Sequence, residues 1–341
     1  MDYASEKIIG AAKYFSSKSE KGNQQHSIMN RIKLSLLSAL GITALFAGNA
    51  LAEINVAASF SITEDIVHEI GGDRVKVTAV IPRGSNPHSY SLRPQDLMTL
   101  EKADIVFLTG QGFDDYLKRW ASAPEHQKKI VDISRGIKPI QNENDDHEGE
   151  DHENEHEYHA EHEHHHQGTD PHAWQNPLNG AVYAENIRRE LCNREPDSCE
   201  FFTGNADNYI KSLKNLDSRY QELFARVPDK NRIMITTHDA FNYLADRYRI
   251  KILAPRGITD SHEPSAGDIA AIEKLMKENK VHAVFIENLA ANAAVEDLSR
   301  KNGRVINGML FTDSLAEEPE GNTYLRMIEH NLRVIHDAMS Q

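Results

Sequence analysis

Short β-rich runs alternate with helical stretches along most of this chain of 341 residues. The first three runs are INVAASF (54–60), RVKVTAVI (74–81) and DIVFLTG (104–110). The alternation returns in NRIMITT (231–237), IKILAP (250–255), VHAVFIE (281–287) and RVINGMLF (304–311). Strands that alternate with helices form parallel sheets, because each crossover helix returns the chain to the same end of the sheet and covers one face. The pattern therefore predicts an α/β fold with two βα lobes.

A long helical region, residues 177–226, separates the two alternating regions. Its apolar side chains recur at steps of four and three residues, which places them in one stripe along a helix. The stripe consists of Phe202, Ala206, Tyr209, Leu213, Leu216, Tyr220 and Leu223. A helix of roughly 28 residues is about 40 Å long, a length that suits a rigid spine between two lobes. The alternative is an ordinary amphipathic helix packed on a single sheet, which would have the same apolar stripe. We predict an N-terminal lobe over 53–196, a linking helix over 197–227 and a C-terminal lobe over 228–341.

An acidic, histidine-rich run interrupts the first lobe at residues 142–167. It holds eight histidines and eleven Asp or Glu residues but no Lys or Arg, so it offers almost nothing for a core. Imidazoles suit zinc, copper and nickel, and carboxylates concentrate cations, so we predict a disordered loop that binds metal weakly. The alternative is a solvated acidic linker. The auxiliary ligands would be His147, His152, His156, His159, His162, His164, His165 and His166.

The acidic charge of the chain is local. Of the formal net charge of −14, the histidine-rich run contributes −11, which leaves −3 for the rest. A protein that binds nucleic acid needs a basic face for the phosphates. We therefore expect no nucleic-acid partner.

The N-terminus carries the pattern of an export signal. We interpret residues 1–28 as an upstream extension and residues 29–52 as a signal peptide, with two basic residues before an apolar stretch over 34–47. The stretch is short for a membrane span, although an uncleaved anchor is the alternative. A small-x-small site places the mature start at Glu53, and no cysteine lies nearby to accept a lipid. We expect a periplasmic protein without a lipid anchor.

The two cysteines, Cys192 and Cys199, are separated by a short loop that contains Pro196. In an oxidising compartment they could form a disulfide. Spacing alone does not fix the geometry, so two free thiols remain the alternative.

Four side chains stand apart as candidate metal ligands: His88, His172, His238 and Asp313. They lie just after predicted strands or in proline-flanked loops of the same kind. Open α/β sheets place their ligand sites at the carboxyl ends of strands, so the four could meet in a cleft between the lobes. Three imidazoles and one carboxylate make a closed four-coordinate set suited to Zn²⁺. Nothing in the spacing forces them together.

Several segments resemble one family in the same order along the chain. They are NPHSYSLRPQDL, DPHAWQNPLNGAVYAENI, TTHDAFNYLADRY, APRGITDSHEPSAGDIAAI and VFIENLA. They look like the metal-binding receptors of bacterial ABC transporters, the zinc/manganese group called cluster A-I, and most closely its periplasmic zinc-binding members. The resemblance covers residues 53–341.

The resemblance implies two βα lobes joined by a spine helix, with metal in the cleft bound by the four candidate ligands. It implies a monomeric receptor that is not an enzyme. Zn²⁺ would be its transported ligand, a membrane permease subunit its partner, and a periplasmic zinc chaperone a further partner.

The third ligand bears on the choice of metal. Manganese-type members usually carry Glu where this chain has His238, and an imidazole there favours Zn²⁺. Asn86 and Pro87 precede His88, so an extra carboxylate ligand from that loop is not expected. A manganese or iron receptor of the same family remains an alternative.

Other functional classes also fit parts of the sequence. HENEH (152–156) and HEHHH (162–166) match the H-E-x-x-H motif of zinc proteases, but that motif requires a stable helix. A zinc-dependent hydrolase built on the four candidate ligands would need an open coordination position and a base. Asp239 and Glu287 are available for that role, and nothing in the sequence marks either. A stand-alone zinc scavenger or adhesin would have the same fold.

Overall fold

The computed structural model describes residues 53–141, 168–258, 264–279, 281 and 283–341. The predicted upstream extension, the predicted signal peptide and the histidine-rich run with its eight auxiliary ligands lie outside the described residues. Among the described helices, none combines the length and the apolar character needed to cross a bilayer.

The first lobe is built around four short strands. They are β1 (Ile54–Phe60), β2 (Val75–Ile81), β3 (Ile105–Leu108) and β4 (Ile130–Asp132). The helices of this part of the chain are α1 (Ser61–Gly71), α2 (Pro94–Lys102), the one-turn α3 (Lys118–Ala121) and α4 (Pro177–Arg194). Sequence analysis predicted the first three strands and missed β4.

The longest helix, α5 (Cys199–Ala225), has 27 residues. Its predicted apolar stripe is buried from Phe202 to Tyr220. The helix packs against α1 and α4 on one side and against elements of the second lobe on the other. Asp217 in its second half is buried and accepts hydrogen bonds from Arg247 at 2.6 and 2.7 Å. The helix therefore contacts both lobes, as expected of a spine.

The second lobe repeats the plan of the first. Its strands are β5 (Ile233–Ile235), β6 (Lys251–Leu253), β7 (Ala283–Glu287) and β8 (Gly308–Leu310). Its helices are α6 (Asn242–Tyr248), α7 (Ala266–Asn279), α8 (Ala293–Lys301) and α9 (Tyr324–Met339). The two sheets are parallel and have equivalent strand orders, β2-β1-β3-β4 and β6-β5-β7-β8.

Apolar side chains fill both faces of each sheet, which is characteristic of parallel sheets between helices. In β1, Val56 belongs to a central cluster and the adjacent Ala57 to a smaller cluster on the opposite face. In β5, Met234 likewise belongs to the central cluster, and the adjacent Ile235 belongs to another small cluster on the opposite face. The central cluster is continuous from the first sheet through α5 to α9. The lobes therefore share one core, which fixes the two sheet edges relative to each other.

The helical region 177–226 consists of two helices. α4 ends at Arg194, and α5 begins after the predicted short loop with Pro196, a residue that lacks the backbone donor of a helix interior. The Cys192–Cys199 disulfide closes this turn. The strand predicted over 304–311 is shorter in the structure, where only β8 (Gly308–Leu310) forms. Before β8, the Val284 amide donates to the side-chain Oδ1 of Asn307 at 2.9 Å, so a side chain takes the place of a backbone partner in the sheet.

Candidate metal centre

The four predicted ligands come from four separate loops that end at one place. His88 lies in the turn Pro87–Ser89 after β2, and His172 precedes the turn Ala173–Gln175. His238 follows β5, and Asp313 follows β8. Strand carboxyl ends of both sheets therefore supply the site, with two side chains from each lobe.

The ligand atoms of these four side chains lie within 4.8 Å of one another. The Nε2 atoms of His88 and His172 are 3.3 Å apart. Asp313 Oδ2 is 3.5 Å from His88 Nε2 and 3.3 Å from His238 Nε2, and Asp313 Oδ1 is 3.5 Å from His172 Nε2. Ligand atoms about 2.0–2.1 Å from a tetrahedral zinc are about 3.3 Å apart. These separations fit a four-coordinate metal site.

The site is almost completely withdrawn from solvent. The side chains of His172 and His238 are fully buried and that of Asp313 is 3% exposed, whereas that of His88 is 9% exposed. Among the described residues, His238 Nε2 and Asp313 Oδ1 are buried polar atoms without a hydrogen-bond partner. Such atoms are uncommon in folded proteins and call for a ligand, water or ion. Both atoms face the centre of the four-ligand cluster.

Access to the cluster lies on the side of His88. An opening over this ring, here called the cleft mouth, is bounded by loops from both lobes. Its lining includes Pro87, His88, Gln111, Phe113, Thr169 and Ile258.

Asp170 holds the His172 ring from behind. Its Oδ1 lies 2.8 Å from His172 Nδ1 and also accepts the His172 backbone amide at 2.8 Å. Both residues are fully buried. The contact assigns the proton to Nδ1 and leaves Nε2 free to face a metal, as in carboxylate–histidine–metal arrangements.

Glu287 has the same role for His238. Its Oε2 makes a short contact with His238 Nδ1, and its Oε1 accepts the backbone amides of Thr237 and His238 at 2.8 and 2.9 Å. Glu287 is 1% exposed and lies at the carboxyl end of β7. Asp239, the other acid considered as a base, pairs with Asn242 instead.

Burial and neighbouring charges shift the pKa values of three of the four candidate ligands. Burial lowers the pKa of the His88 imidazole, which is therefore neutral near pH 7. For His238, burial also acts to lower the pKa, but the charges of Glu287 and Asp313 outweigh it and hold the pKa well above its usual value. Burial would raise the pKa of Asp313, yet the neighbouring His238 keeps it well below its usual range. Without metal, His238 therefore carries a proton that an entering cation must displace.

Hydrogen bonds between the lobes fix the two halves of the cluster. Trp174 Nε1 donates to the Thr312 carbonyl oxygen at 2.9 Å, one residue before Asp313. On the other side of Asp313, Ser314 Oγ lies 3.1 Å from Ser61 Oγ and accepts the Gly84 amide at 2.8 Å. The loop that carries Asp313 is thus tied to the lobe that carries His88.

Comparison with known proteins places this architecture among metal receptors. The family described as Zinc-uptake complex component A periplasmic (ZnuA) matches residues 56–338. One relative is the manganese ABC transporter substrate-binding lipoprotein PsaA of Streptococcus anginosus, which is 27% identical over 316 residues, 89% of this chain and 96% of the relative. The manganese-binding lipoprotein MntA of Halalkalibacterium halodurans is 27% identical over 289 residues, 84% of this chain and 89% of the relative. Both names describe lipoproteins, whereas sequence analysis predicts no lipid anchor for this chain.

Solved structures show the same fold. One is a Mn-bound variant of a periplasmic metal-binding protein from Candidatus Liberibacter asiaticus, which aligns with a TM-score of 0.72 and 25% identity. The alignment covers 83% of this chain and 98% of that one. A structure of TroA, studied for its metal-binding specificity, also has a TM-score of 0.72 and 25% identity, over 84% of this chain and 100% of that one. The fold predicted from the sequence, two parallel-sheet lobes with a long helix, is confirmed.

Proposed function

This chain belongs to the ZnuA family of periplasmic metal-binding receptors of ABC transporters, and we propose that it captures Zn²⁺ in the periplasm and delivers it to the membrane permease of an importer. The observation that carries this proposal is the convergence of His88, His172, His238 and Asp313 on one point. Their mutual distances fit a tetrahedral ion, and the donor set contains three imidazole nitrogens and a single carboxylate, which suits zinc.

A manganese receptor is the main competing proposal, since PsaA and MntA are named for manganese. Manganese prefers oxygen donors and higher coordination numbers than four. In this chain the third candidate ligand is His238, and the residues just before His88 are Asn86 and Pro87. The Asn86 side chain is engaged elsewhere, because its Oδ1 accepts the His88 amide at 2.9 Å. The local donors therefore favour zinc.

A hydrolase is disfavoured by the same geometry. The family is one of receptors, and the four donors enclose the centre, so no position is reserved for a reactive water. Behind the ligand rings, Glu287 uses both of its carboxylate oxygens, and Asp170 uses Oδ1, in hydrogen bonds to a ring and to the backbone.

The carboxylates behind the rings provide a first test. Replacing Glu287 with Gln is expected to weaken zinc binding about 10–100-fold, the usual cost of losing a partner that orients a ligand histidine. It should also reduce the number of protons released per zinc at pH 7, because the charge of Glu287 helps to keep His238 protonated. In the wild-type protein, proton and metal compete for His238 Nε2, so zinc affinity should fall as pH decreases.

Calorimetry in two buffers of different ionisation enthalpy measures both the zinc affinity and the number of protons released per zinc. Glu101→Gln is the matched control, because Glu101 also pairs with a histidine, His126, at 3.0 Å, but its side chain is 55% exposed. Wild-type affinity and proton release in the Glu287→Gln protein would contradict the role assigned to Glu287.

The histidine-rich run 142–167 is proposed as an auxiliary site that collects zinc and passes it to the cleft. Its two ends are adjacent in the structure: Gln141 and Thr169 form an isolated antiparallel bridge, and the Asp170 amide donates to the Ile140 carbonyl oxygen at 2.9 Å. The residues that flank the run are therefore neighbours in the fold. Asp170 and His172 follow soon after its second end, so the run is attached close to the cleft.

Metal content of the protein with and without residues 142–167 tests the whole proposal. Because the ends are adjacent, a short Gly-Ser turn can replace the run. One tight zinc should remain in the deleted protein, whereas additional weaker zinc ions, bound at pH 7.5 and lost at pH 5.5 as free histidines protonate, should disappear. A second variant with the eight histidines changed to Ser keeps the acidic charge and should behave like the deletion. Loss of the tight zinc on deletion, or a single zinc in the full-length protein at any concentration, would refute this division of roles.

A further inference from the structure

A left-handed turn of unusual sequence lies at the cleft mouth. The chain from Gly110 to Phe113 forms a turn closed by a hydrogen bond from the Phe113 amide to the Gly110 carbonyl oxygen at 3.0 Å. Its two central residues, Gln111 and Gly112, have φ of 54° and 83°. Positive φ at both central positions is the pattern of a type I′ turn, in which Asn, Asp or Gly is preferred at the first of them. Gln111 is therefore a poor choice for the turn itself.

The conformation of Gln111 carries a cost. A non-glycine residue in the left-handed region is strained and persists where the surroundings impose it, often at functional sites. Within the described residues, the other non-glycine residue with positive φ is Arg249, with φ of 56°. Arg249 is the exposed C-terminal cap of α6, a common place for this conformation. Gln111 has no such helix end to explain it.

The turn is held rigidly from beneath. The Asp114 carboxylate accepts the Thr109 and Gly110 amides at 3.2 and 2.6 Å. Gly110 is closely packed, since a Cβ there would lie 2.3 Å from Ser134 Oγ and 2.4 Å from Asp132 Oδ1. These contacts leave the turn little freedom to relax the strain at Gln111.

The turn is also connected to the metal cluster. The Phe113 ring packs 5.0 Å from the Trp174 ring, and Trp174 in turn lies 5.2 Å from the His172 ring. Gln111 itself lines the mouth together with His88, the most exposed of the four candidate ligands. The fold thus places a partly buried glutamine at the opening that also exposes His88.

We propose that Gln111 is a gate residue for metal exchange. This inference rests on the proposed function of the cleft. A hydrated divalent cation must pass the mouth to reach the cluster, and the Gln111 side chain at the mouth would obstruct that passage. The residue would then set the rates of zinc entry and release, and have a smaller effect on the affinity. Asn would suit the turn better but is shorter by one methylene, so the choice of Gln favours reach over turn stability.

Substitutions that suit the turn but shorten the side chain test this role. We expect Gln111→Asn and Gln111→Gly to accelerate both zinc binding and zinc release to a chelator about fivefold or more, which corresponds to a barrier lower by about 1 kcal/mol. The metal-free variants should unfold at the wild-type temperature or above it, because both residues fit positive φ. Arg249→Asn is the matched control, since it also replaces a longer side chain with Asn at a similar positive φ, but lies away from the mouth. It should leave the rates of zinc binding and zinc release unchanged.

The outcomes separate the gate from other roles. Release at the wild-type rate in Gln111→Gly would overturn the proposal. Faster release with unchanged association would also overturn it, because Gln111 would then stabilise bound metal and not control passage. The proposed function has its own readout in the same experiment: if His172→Ala holds zinc as wild type does, zinc is not in this cleft, and both proposals fail together.

Discussion

Replacing His172 with Ala is expected to weaken tight zinc binding by more than about 100-fold, because losing only an orienting partner of a ligand histidine already costs about 10–100-fold. His172 is fully buried, and its Nε2 lies 3.3 Å from His88 Nε2 and 3.5 Å from Asp313 Oδ1. Its removal opens one of four coordination positions to water. It also leaves Asp170 buried without its histidine partner.

The measurement is competition with a chelator of known affinity, on protein first stripped of metal. His126→Ala is the matched control, since His126 is a partly buried histidine that contacts Glu101 and lies outside the cluster. Unfolding temperatures in the presence of EDTA distinguish lost binding from lost folding. A His172→Ala protein that folds and binds zinc as tightly as wild type would remove the cleft from consideration as the zinc site.

The fold was largely predictable because the relevant signal is local. Strand β1 matches the run 54–60 residue for residue, and the predicted apolar stripe lies buried along α5. β4 was missed because it has three half-buried residues, too few to show a period. The break at Pro196 was predictable, because a proline in a short polar loop is itself a local signal. Very short strands depend on tertiary pairing, which a local pattern does not contain.

The candidate site was predictable in part. Positions just after predicted strands or in proline-flanked loops singled out the four side chains, but their convergence within 4.8 Å depends on how two sheets face each other, and no sequence spacing expresses that. Asp170 had a readable signal, because an Asp two residues before His172 can accept that residue's backbone amide in a local turn. Glu287 had none, since 49 residues separate it from His238. Gln111 could not be singled out either, because its backbone φ is fixed by contacts of Asp114 and Gly110.

Zinc is expected to outcompete manganese by orders of magnitude at the cleft. Three of the four candidate donors are imidazoles, and the affinity order of divalent first-row metals places Mn²⁺ far below Zn²⁺ at nitrogen-rich sites. The spacing of about 3.3 Å between donors fits tetrahedral zinc. Manganese would need further oxygen ligands, and the ring of buried donors leaves little room for water. The site geometry therefore disfavours manganese in addition to the donor type.

Competition titration of the two metals on the same stripped protein measures the ratio directly, and comparable affinities would refute the assignment of zinc. His238→Glu should narrow the gap, because a carboxylate replaces the third imidazole. That change alone places a second buried carboxylate against Glu287, which holds the His238 ring in the wild-type protein. Like charges at that distance oppose each other, so the single variant should also bind zinc and manganese more weakly than a His238→Glu, Glu287→Gln double variant. A double variant that still prefers zinc as strongly as wild type would show that the preference does not come from His238, but from the geometry set by His88, His172 and Asp313.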